Sequence, residues 1–147
     1  MVRSNEEIRE TILVVDDDPS VLKIVAWILE SAHFRVLKAD NAARAIEIAI
    51  ATEGEISLLL SDVDMPVMSG PDLGQELKKT RPDIHVMLMS GGADGNLLVL
   101  NYGWAFIQKP FVRVELLKMI NDVLSEPNRS QPGGQQYDTR KNIDHKR

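Results

Sequence analysis

Five short apolar segments alternate with stretches of helical hydrophobic periodicity, and this alternation restricts the possible folds more than any other feature of the sequence. The first segment, 11–15, is almost continuously apolar, which is typical of a strand covered on both faces. The other four segments are 34–39, 56–61, 84–89 and 104–108. Helices between consecutive strands favour parallel pairing through right-handed crossovers. The sequence therefore predicts an α/β fold, a (βα)5 three-layer sandwich around one parallel sheet.

Helix-start signals and apolar spacing place a helix after each predicted strand. Asp18 followed by Pro19 is a typical N-cap with proline at the first helical position. The second helix is predicted over 41–52, where we expect Ile46 and Ile50 to face the core. The other predicted helices are 71–79, a short one through 97–100 and a last one through 116–124.

Composition excludes several classes of function. The chain has 22 acidic and 17 basic side chains and a net charge of −5, which argues against nucleic acid as the main partner because phosphate contacts need clustered Lys and Arg. It has no cysteine, so disulfides, thiolate zinc sites and thiol catalysis are excluded. No apolar run approaches the roughly 18 residues of a membrane span, and the polar segment 1–7 is unlike a signal peptide. We expect a soluble cytoplasmic protein.

The chain divides at Pro127. Five basic and three acidic side chains give 126–147 a charge of +2, which leaves −7 for 1–125 out of the total of −5. This segment is poor in apolar residues and cannot bury enough surface to offset its ordering entropy. We predict an N-terminal extension over 1–10, one domain over 11–125 and a flexible polar tail or linker over 126–147.

Polar residues follow the predicted strands at their carboxyl ends. Asp16 and Asp17 follow the first strand, Asp62 the third, Ser90 the fourth and Lys109 the fifth. Open parallel sheets bind ligands at this edge, where the strand order reverses. In the five-stranded order 2-1-3-4-5, the first and third strands are neighbours, so the three carboxylates converge on one crevice. Any one of these residues alone is most simply a cap or loop residue, but four strand ends together favour a site.

Three carboxylates packed together need a proton or a cation. Two like charges about 4 Å apart repel by roughly 4 kcal/mol at an effective dielectric constant near 20. Oxygen ligands suit a hard cation, and Mg²⁺ suits a site with few carboxylates and several retained waters. An ammonium group and a hydroxyl suit phosphate oxygens, and a carboxylate can act as the nucleophile that forms an aspartyl phosphate. The pattern indicates Mg²⁺-assisted phosphoryl chemistry.

Four segments give the chain its resemblance to a known family. They are ILVVDDDP at 12–19, LSDVDMP at 60–66 with Ser69-Gly70, MLMSG at 87–91 and KPF at 109–111. Each segment follows or closes a predicted strand, and they occur in the family's order. Over about 11–125 the chain resembles the receiver (REC) domain of two-component response regulators, the CheY-like class. This resemblance implies a flavodoxin-like sheet, and the strand order 2-1-3-4-5 rests partly on it.

The resemblance also implies a role for each acidic residue. It implies that Asp62 is the phosphoacceptor and that Mg²⁺ is held by Asp16, Asp17 and Asp62, with the main-chain carbonyl of Asp64 as a further ligand. Asp64, two residues after the acceptor, is a candidate for influencing the lifetime of the acyl phosphate.

The same resemblance implies a conformational switch. Ser90 is the implied switch hydroxyl that turns toward the phosphoryl group, and Lys109 is its counter-ion. Phe106 falls where the family commonly has an aromatic residue and is either a second switch residue or a plain core side chain. The switched surface is the one formed by the fourth helix, the fifth strand and the fifth helix. The Lys109–Pro110 peptide bond is expected to be cis.

The predicted fourth helix departs from the family pattern. Ser90 and Lys109 lie 19 positions apart, a few fewer than in the family. The segment between them includes Gly91, Gly92 and Gly95, and glycine loosens the backbone. We therefore expect a shortened, mobile fourth helix.

The favoured interpretation is a phosphoacceptor of a two-component phosphorelay that promotes only its own phosphorylation and dephosphorylation and is not an enzyme in the usual sense. The donor is a sensor histidine kinase or a histidine phosphotransfer protein, without direct nucleic-acid or membrane binding. The chain is a stand-alone receiver or part of a hybrid kinase or larger regulator, as a monomer or weak homodimer.

Two alternatives remain open. The altered fourth helix allows a degenerate receiver that binds partners without phosphorylation. Asp62-Val63-Asp64 also fits the Asp-x-Asp opening of haloacid-dehalogenase-like phosphatases, but Pro66 and the position after the third strand argue against that class.

Overall fold

The computed structural model describes residues 9–92 and 102–126, which form a five-stranded sheet between two layers of helices. The strands are β1 (Thr11–Val15), β2 (Arg35–Ala39), β3 (Leu58–Asp62), β4 (His85–Ser90) and β5 (Ala105–Gln108). The described helices are α1 (Pro19–Ser31), α2 (Ala42–Ala51), α3 (Gly70–Thr80) and α4 (Arg113–Ser125). The strand order is β2-β1-β3-β4-β5, and each neighbouring pair is parallel. The predicted α/β fold and strand order are confirmed.

Local sequence signals set the starts of three helices. Asp18 caps α1, where its Oδ1 accepts a hydrogen bond of 2.9 Å from the Ser20 N–H. Asn41 and Ser69 cap α2 and α3 in the same way through their side-chain oxygens. Val112 stands at the N-cap of α4 and supplies no side-chain hydrogen bond. These caps satisfy amide groups that have no partner within the helix.

Apolar side chains of the strands alternate between two separate hydrophobic cores, one on each face of the sheet. In β1, Leu13 and Val15 pack in the core under α2 and α3, whereas Ile12 and Val14 pack in the core under α1 and α4. Side chains of a strand alternate between its faces, so a central strand covered by helices on both sides is apolar throughout. β1, flanked by β2 and β3, is buried at all five positions.

The prediction that Ile50 faces the core is wrong. Ile50 is 76% exposed, whereas Ala42, Ala45 and Ala49 of the same helix are buried. At about 100° per residue, Ile50 lies roughly 110° from the middle of that buried stripe. It is therefore at the solvent edge of the last turn of α2 rather than over the core.

Several predictions concern residues outside the ranges that the structure describes. The short helix through 97–100, and its expected shortening, lie within 93–101, outside the described residues. The N-terminal extension and the tail lie almost wholly in 1–8 and 127–147, also outside them, and the three domain boundaries stay predictions. Over the described ranges, the helices are too short or too polar to cross a lipid bilayer.

Candidate functional site

Three carboxylates meet at the carboxyl ends of β1 and β3. One carboxylate oxygen from each of Asp16, Asp17 and Asp62 lies within 4.8 Å of the others. Val15 pairs with Ser61 in the sheet, so the residues that follow each of them are brought together. Asp16 is fully buried and Asp62 is 7% exposed, whereas Asp17 is exposed. The expected acidic crevice is present and opens to solvent on the side of Asp17.

Lys109 supplies a cation to this crevice. Its Nζ lies 2.9 Å from Asp16 Oδ2 and 3.1 Å from Asp62 Oδ1, and its side chain is 22% exposed. One ammonium group among three ionised carboxylates leaves a formal charge of −2. The site therefore keeps an attraction for a divalent cation even with the lysine in place.

The ionisation of both partners is shifted by this packing. Burial raises the pKa of the Asp62 carboxyl, and the charges of Asp16 and Asp17 act in the same direction against the opposing hydrogen bond from Lys109. Burial alone would lower the pKa of Lys109, but its hydrogen bonds to Asp16 and Asp62 outweigh burial and raise it. Lys109 is consequently a fixed positive charge at neutral pH.

Main-chain hydrogen bonds connect the strands at the site. The N–H of Val63 donates to the carbonyl of Met89 at 2.9 Å, and the N–H of Lys109 donates to the carbonyl of Ser90 at 2.8 Å. The amide that follows Asp62 is thus tied to β4, and β4 is tied to the lysine. These bonds fix the spacing of β3, β4 and the residue that follows β5 at the site.

Ser90 is buried at the end of β4 with 2% exposure. Its Oγ accepts a hydrogen bond of 2.9 Å from the main-chain N–H of Gly92. Leu88, two residues before it, pairs with Phe106 of β5, and both pack in the core under α2 and α3. Ser90 and Phe106 therefore point to the same face of the sheet, and Phe106 is only partly buried.

The donor set fits a hard divalent cation. Asp16, Asp17 and Asp62 offer carboxylate oxygens, which Mg²⁺ prefers, and the exposed side of the crevice allows coordinated water. These three residues could hold Mg²⁺. The Asp64 side chain is exposed, and a ligand role for its main-chain carbonyl stays a prediction.

Comparison with known families decides which class of protein this site belongs to. A model of the response regulator receiver domain matches residues 12–121. The chain belongs to the response regulator receiver domain family. The resemblance inferred from the sequence is confirmed.

Two curated relatives and one solved structure illustrate the similarity. The receiver domain is 34% identical over 119 residues to the sensor kinase CckA of Brucella abortus, covering 79% of this chain and 13% of that protein. It is 33% identical over 124 residues to the DNA-binding transcriptional regulator NtrC of Rhizobium meliloti, covering 81% and 25%. A CheY-like receiver domain protein from Methanospirillum hungatei superposes with a TM-score of 0.71 at 30% identity, covering 79% of this chain and 94% of that one. The chain thus spans a quarter or less of the length of these curated relatives.

Two features of the site, a cis peptide bond and the close main-chain contacts of two glycines, have no signal in the composition or the hydrophobic periodicity. The Lys109–Pro110 bond is cis, which only the family resemblance led us to expect. Gly70 and Gly92 both contact site residues through their main chains. The sequence motif that contains Gly70 gave its position but did not indicate its close contact with the main chain of Asp62. Nothing in the sequence indicates that the Gly92 N–H donates a hydrogen bond.

Proposed function

We propose that this receiver domain is a phosphoacceptor of a two-component phosphorelay, with Asp62 taking a phosphoryl group from a phosphohistidine. The observation that carries the proposal is the Asp62 carboxylate, which shares the Lys109 ammonium with Asp16 inside an acidic crevice. A lone buried carboxylate would be protonated or paired with one cation. The Asp62 carboxylate instead has the Lys109 ammonium on one side and, with Asp16 and Asp17, a set of oxygen ligands for a metal ion. Such an arrangement suits transfer of an anionic group to a carboxylate.

The reaction forms a bond between an Asp62 carboxylate oxygen and phosphorus, while the phosphorus–nitrogen bond of the donor breaks. The bonding pair returns to the imidazole nitrogen, and the ring leaves as neutral imidazole when its other nitrogen carries a proton. Lys109 balances negative charge on the phosphoryl oxygens, and the Ser90 hydroxyl donates a hydrogen bond to one of them. Asp16, Asp17 and Asp62 would hold Mg²⁺, which when bound supplies further charge neutralisation at the phosphoryl oxygens.

Receiver domains work with histidine kinases or histidine phosphotransfer proteins, and we infer that this chain takes its phosphoryl group from such a partner. Two exposed apolar side chains on α1, Ile24 (58%) and Trp27 (65%), lie one helical turn apart and are available for a docking contact. The product is a modified protein rather than a released small molecule, so the chain serves as a signalling phosphoacceptor rather than as an enzyme acting on other substrates. Phosphorylation acts by favouring the conformation in which Ser90 contacts the phosphoryl group.

Intact-mass analysis after incubation with acetyl phosphate and Mg²⁺ tests the proposal. We expect one added phosphate on the full chain, with the acid lability of an acyl phosphate. Asp62→Asn should take up none. Asp122→Asn is the matched control because it removes an acid whose side chain is 63% exposed near the end of α4, and it should still be labelled.

Other outcomes would point to the alternatives. No labelling, with no stabilisation by Mg²⁺, would indicate a degenerate receiver that binds partners without phosphorylation. Steady multiple turnover of phosphomonoesters would indicate a phosphatase. Labelling that survives in Asp62→Asn would place the acceptor elsewhere.

A further inference from the structure

The Ser90 hydroxyl is held by a group outside the acidic crevice. Its Oγ accepts the Gly92 N–H at 2.9 Å, which directs the oxygen toward the loop that follows β4. The backbone of Ser90 is tied to the end of β5, because its carbonyl accepts a hydrogen bond from the Lys109 N–H. Any movement of the hydroxyl toward Asp62 must therefore be a side-chain rotation away from Gly92.

We propose that the main-chain N–H of Gly92 is a positioning group that holds the Ser90 hydroxyl in the unphosphorylated conformation. This inference rests on the proposed function, in which the hydroxyl turns to a phosphoryl oxygen on Asp62. The bond to Gly92 is given up when that turn occurs. Its strength sets part of the equilibrium between the two conformations of the switch.

The exposure of Gly92 determines how strongly this hydrogen bond shifts the equilibrium between the two conformations. Gly92 is exposed, so its N–H is hydrated by water once the serine has turned away. Release costs one net hydrogen bond rather than a buried, unsatisfied donor. Removing the bond should therefore shift the equilibrium by about threefold to tenfold.

The chain offers a matched pair of substitutions at this position. Gly92→Pro removes the N–H, whereas Gly92→Ala retains it, and an added β-carbon would lie at an ordinary contact distance of 3.6 Å from Ser90 Oγ. Neither variant changes a charge or a carboxylate of the crevice. Any difference between them reports on the hydrogen bond and on the stiffness of proline.

Beryllofluoride, a mimic of the phosphoryl group, is the probe, and its affinity for the full chain with Mg²⁺ is measured by calorimetry. We expect Gly92→Pro to bind it about threefold to tenfold more tightly than the wild type and Gly92→Ala to bind within twofold. In a Ser90→Ala background the proline effect should vanish, because the acceptor is gone. A proline effect that persists in that background, or no tightening with Ser90 present, would overturn the proposal.

Amide hydrogen exchange at Gly92, measured by NMR, tests the same bond if the proline variant does not fold. Ser90→Ala should accelerate exchange of this amide, and saturating beryllofluoride should accelerate it in the wild type. Equal rates in wild type and Ser90→Ala would contradict the inference. If the wild type neither binds beryllofluoride nor accepts phosphate, the proposed function is overturned together with this inference. If the wild type binds beryllofluoride normally but the Gly92 effects are missing, only the inference is overturned.

Discussion

Gly70 packs so closely against Asp62 that a β-carbon built on it would lie 2.2 Å from the Asp62 carbonyl oxygen. Gly70 is the first residue of α3, and its N–H donates to the Val63 carbonyl at 2.9 Å. The helix thus rests directly on the main chain of the proposed phosphoacceptor. No side chain fits in this contact, because the neighbouring atoms belong to the backbone and cannot rotate away.

Gly70→Ala should therefore lower the free energy of unfolding by about 1–3 kcal/mol, the usual cost of overpacking. Urea denaturation measures it. Gly91→Ala is the control, because a β-carbon there meets no heavy atom within 4 Å, and its effect should stay within about 0.5 kcal/mol. Equal stability of the Gly70 variant and the wild type would mean that α3 can move away from Asp62 without cost.

Mg²⁺ should stabilise the folded chain through the acidic crevice, since a ligand that binds only the native state raises stability by mass action. Asp17 is exposed, so Asp17→Asn removes a carboxylate from the cluster without leaving a buried gap, and the relief of like-charge repulsion should keep the metal-free melting temperature at or above that of the wild type. We expect the melting temperature of the wild type to rise with MgCl₂ and that of Asp17→Asn to rise much less. NaCl at matched ionic strength is the control, and an equal rise in both proteins would place the cation elsewhere.

Asp62 should oppose folding in a pH-dependent way when divalent cations are chelated. Burial raises its pKa above the ordinary value of 3.8, so between that value and the native pKa the native state binds more protons than the unfolded state. The contribution of Asp62 to the free energy of unfolding then falls as pH rises through this window. Asp62→Asn removes that dependence, and the stability of the variant relative to the wild type should increase with pH.

Urea denaturation in EDTA at several pH values from below 3.8 to 7 measures this difference. Other carboxylates titrate in both proteins and largely cancel in the comparison. Asp64→Asn is the control for replacing an exposed acid outside the crevice. A relative stability of Asp62→Asn that decreases with rising pH would contradict the assigned direction of the shift.

The acidic crevice was predictable because parallel strands end at one edge of the sheet and because the family resemblance places β1 beside β3. Once the strands were found to be parallel, the residues after β1 and β3 had to share an edge, and Asp16 and Asp62 do. Periodicity was less reliable at the end of a helix, where Ile50 lies at the edge of the buried stripe and is exposed. Contacts made by main-chain groups, such as that of Gly92 with Ser90, depend on local backbone geometry that no residue pattern specifies.

Arg81 makes a contact that sequence patterns cannot predict. Its guanidinium donates to the carbonyls of Gly54 (2.8 Å), Ala49 (2.9 Å) and Thr52 (2.8 Å), which lie 27 to 32 positions earlier in the chain. One side chain at the end of α3 therefore satisfies carbonyls at the end of α2 and in the loop after it. A planar group with several fixed donors is needed to reach all three.

Arg81→Met should lower the free energy of unfolding by about 2 kcal/mol, and Arg81→Lys should recover less than half of that loss. Urea denaturation again provides the measurement. Lys79→Met is the control, since its ion pair with Glu76 is 3.1 Å long and largely exposed, and such pairs contribute less than about 1 kcal/mol. An Arg81 effect no larger than that of Lys79 would mean that water replaces the guanidinium without loss.

Among the described residues, two that are not glycine have a left-handed backbone that favours glycine. Val67 has φ of 71° in the loop after β3, in a three-residue turn closed by a 2.7 Å hydrogen bond from the Met68 N–H to the Pro66 carbonyl. His33 has φ of 74° after the end of α1, where helices commonly end on glycine. A β-branched side chain is the more strained of the two in this conformation.

Val67→Gly should therefore raise the free energy of unfolding by about 1 kcal/mol and His33→Gly by less, because relief of strain exceeds the added entropy of the unfolded chain. Val67 is fully exposed, so its replacement removes no packing. Val114→Gly is the control, since that residue is 74% exposed within α4 and glycine should destabilise the helix by a few tenths of a kcal/mol relative to valine. Opposite signs for the two valines in urea denaturation would establish the strain, and destabilisation by both would show that the Val67 turn stores none.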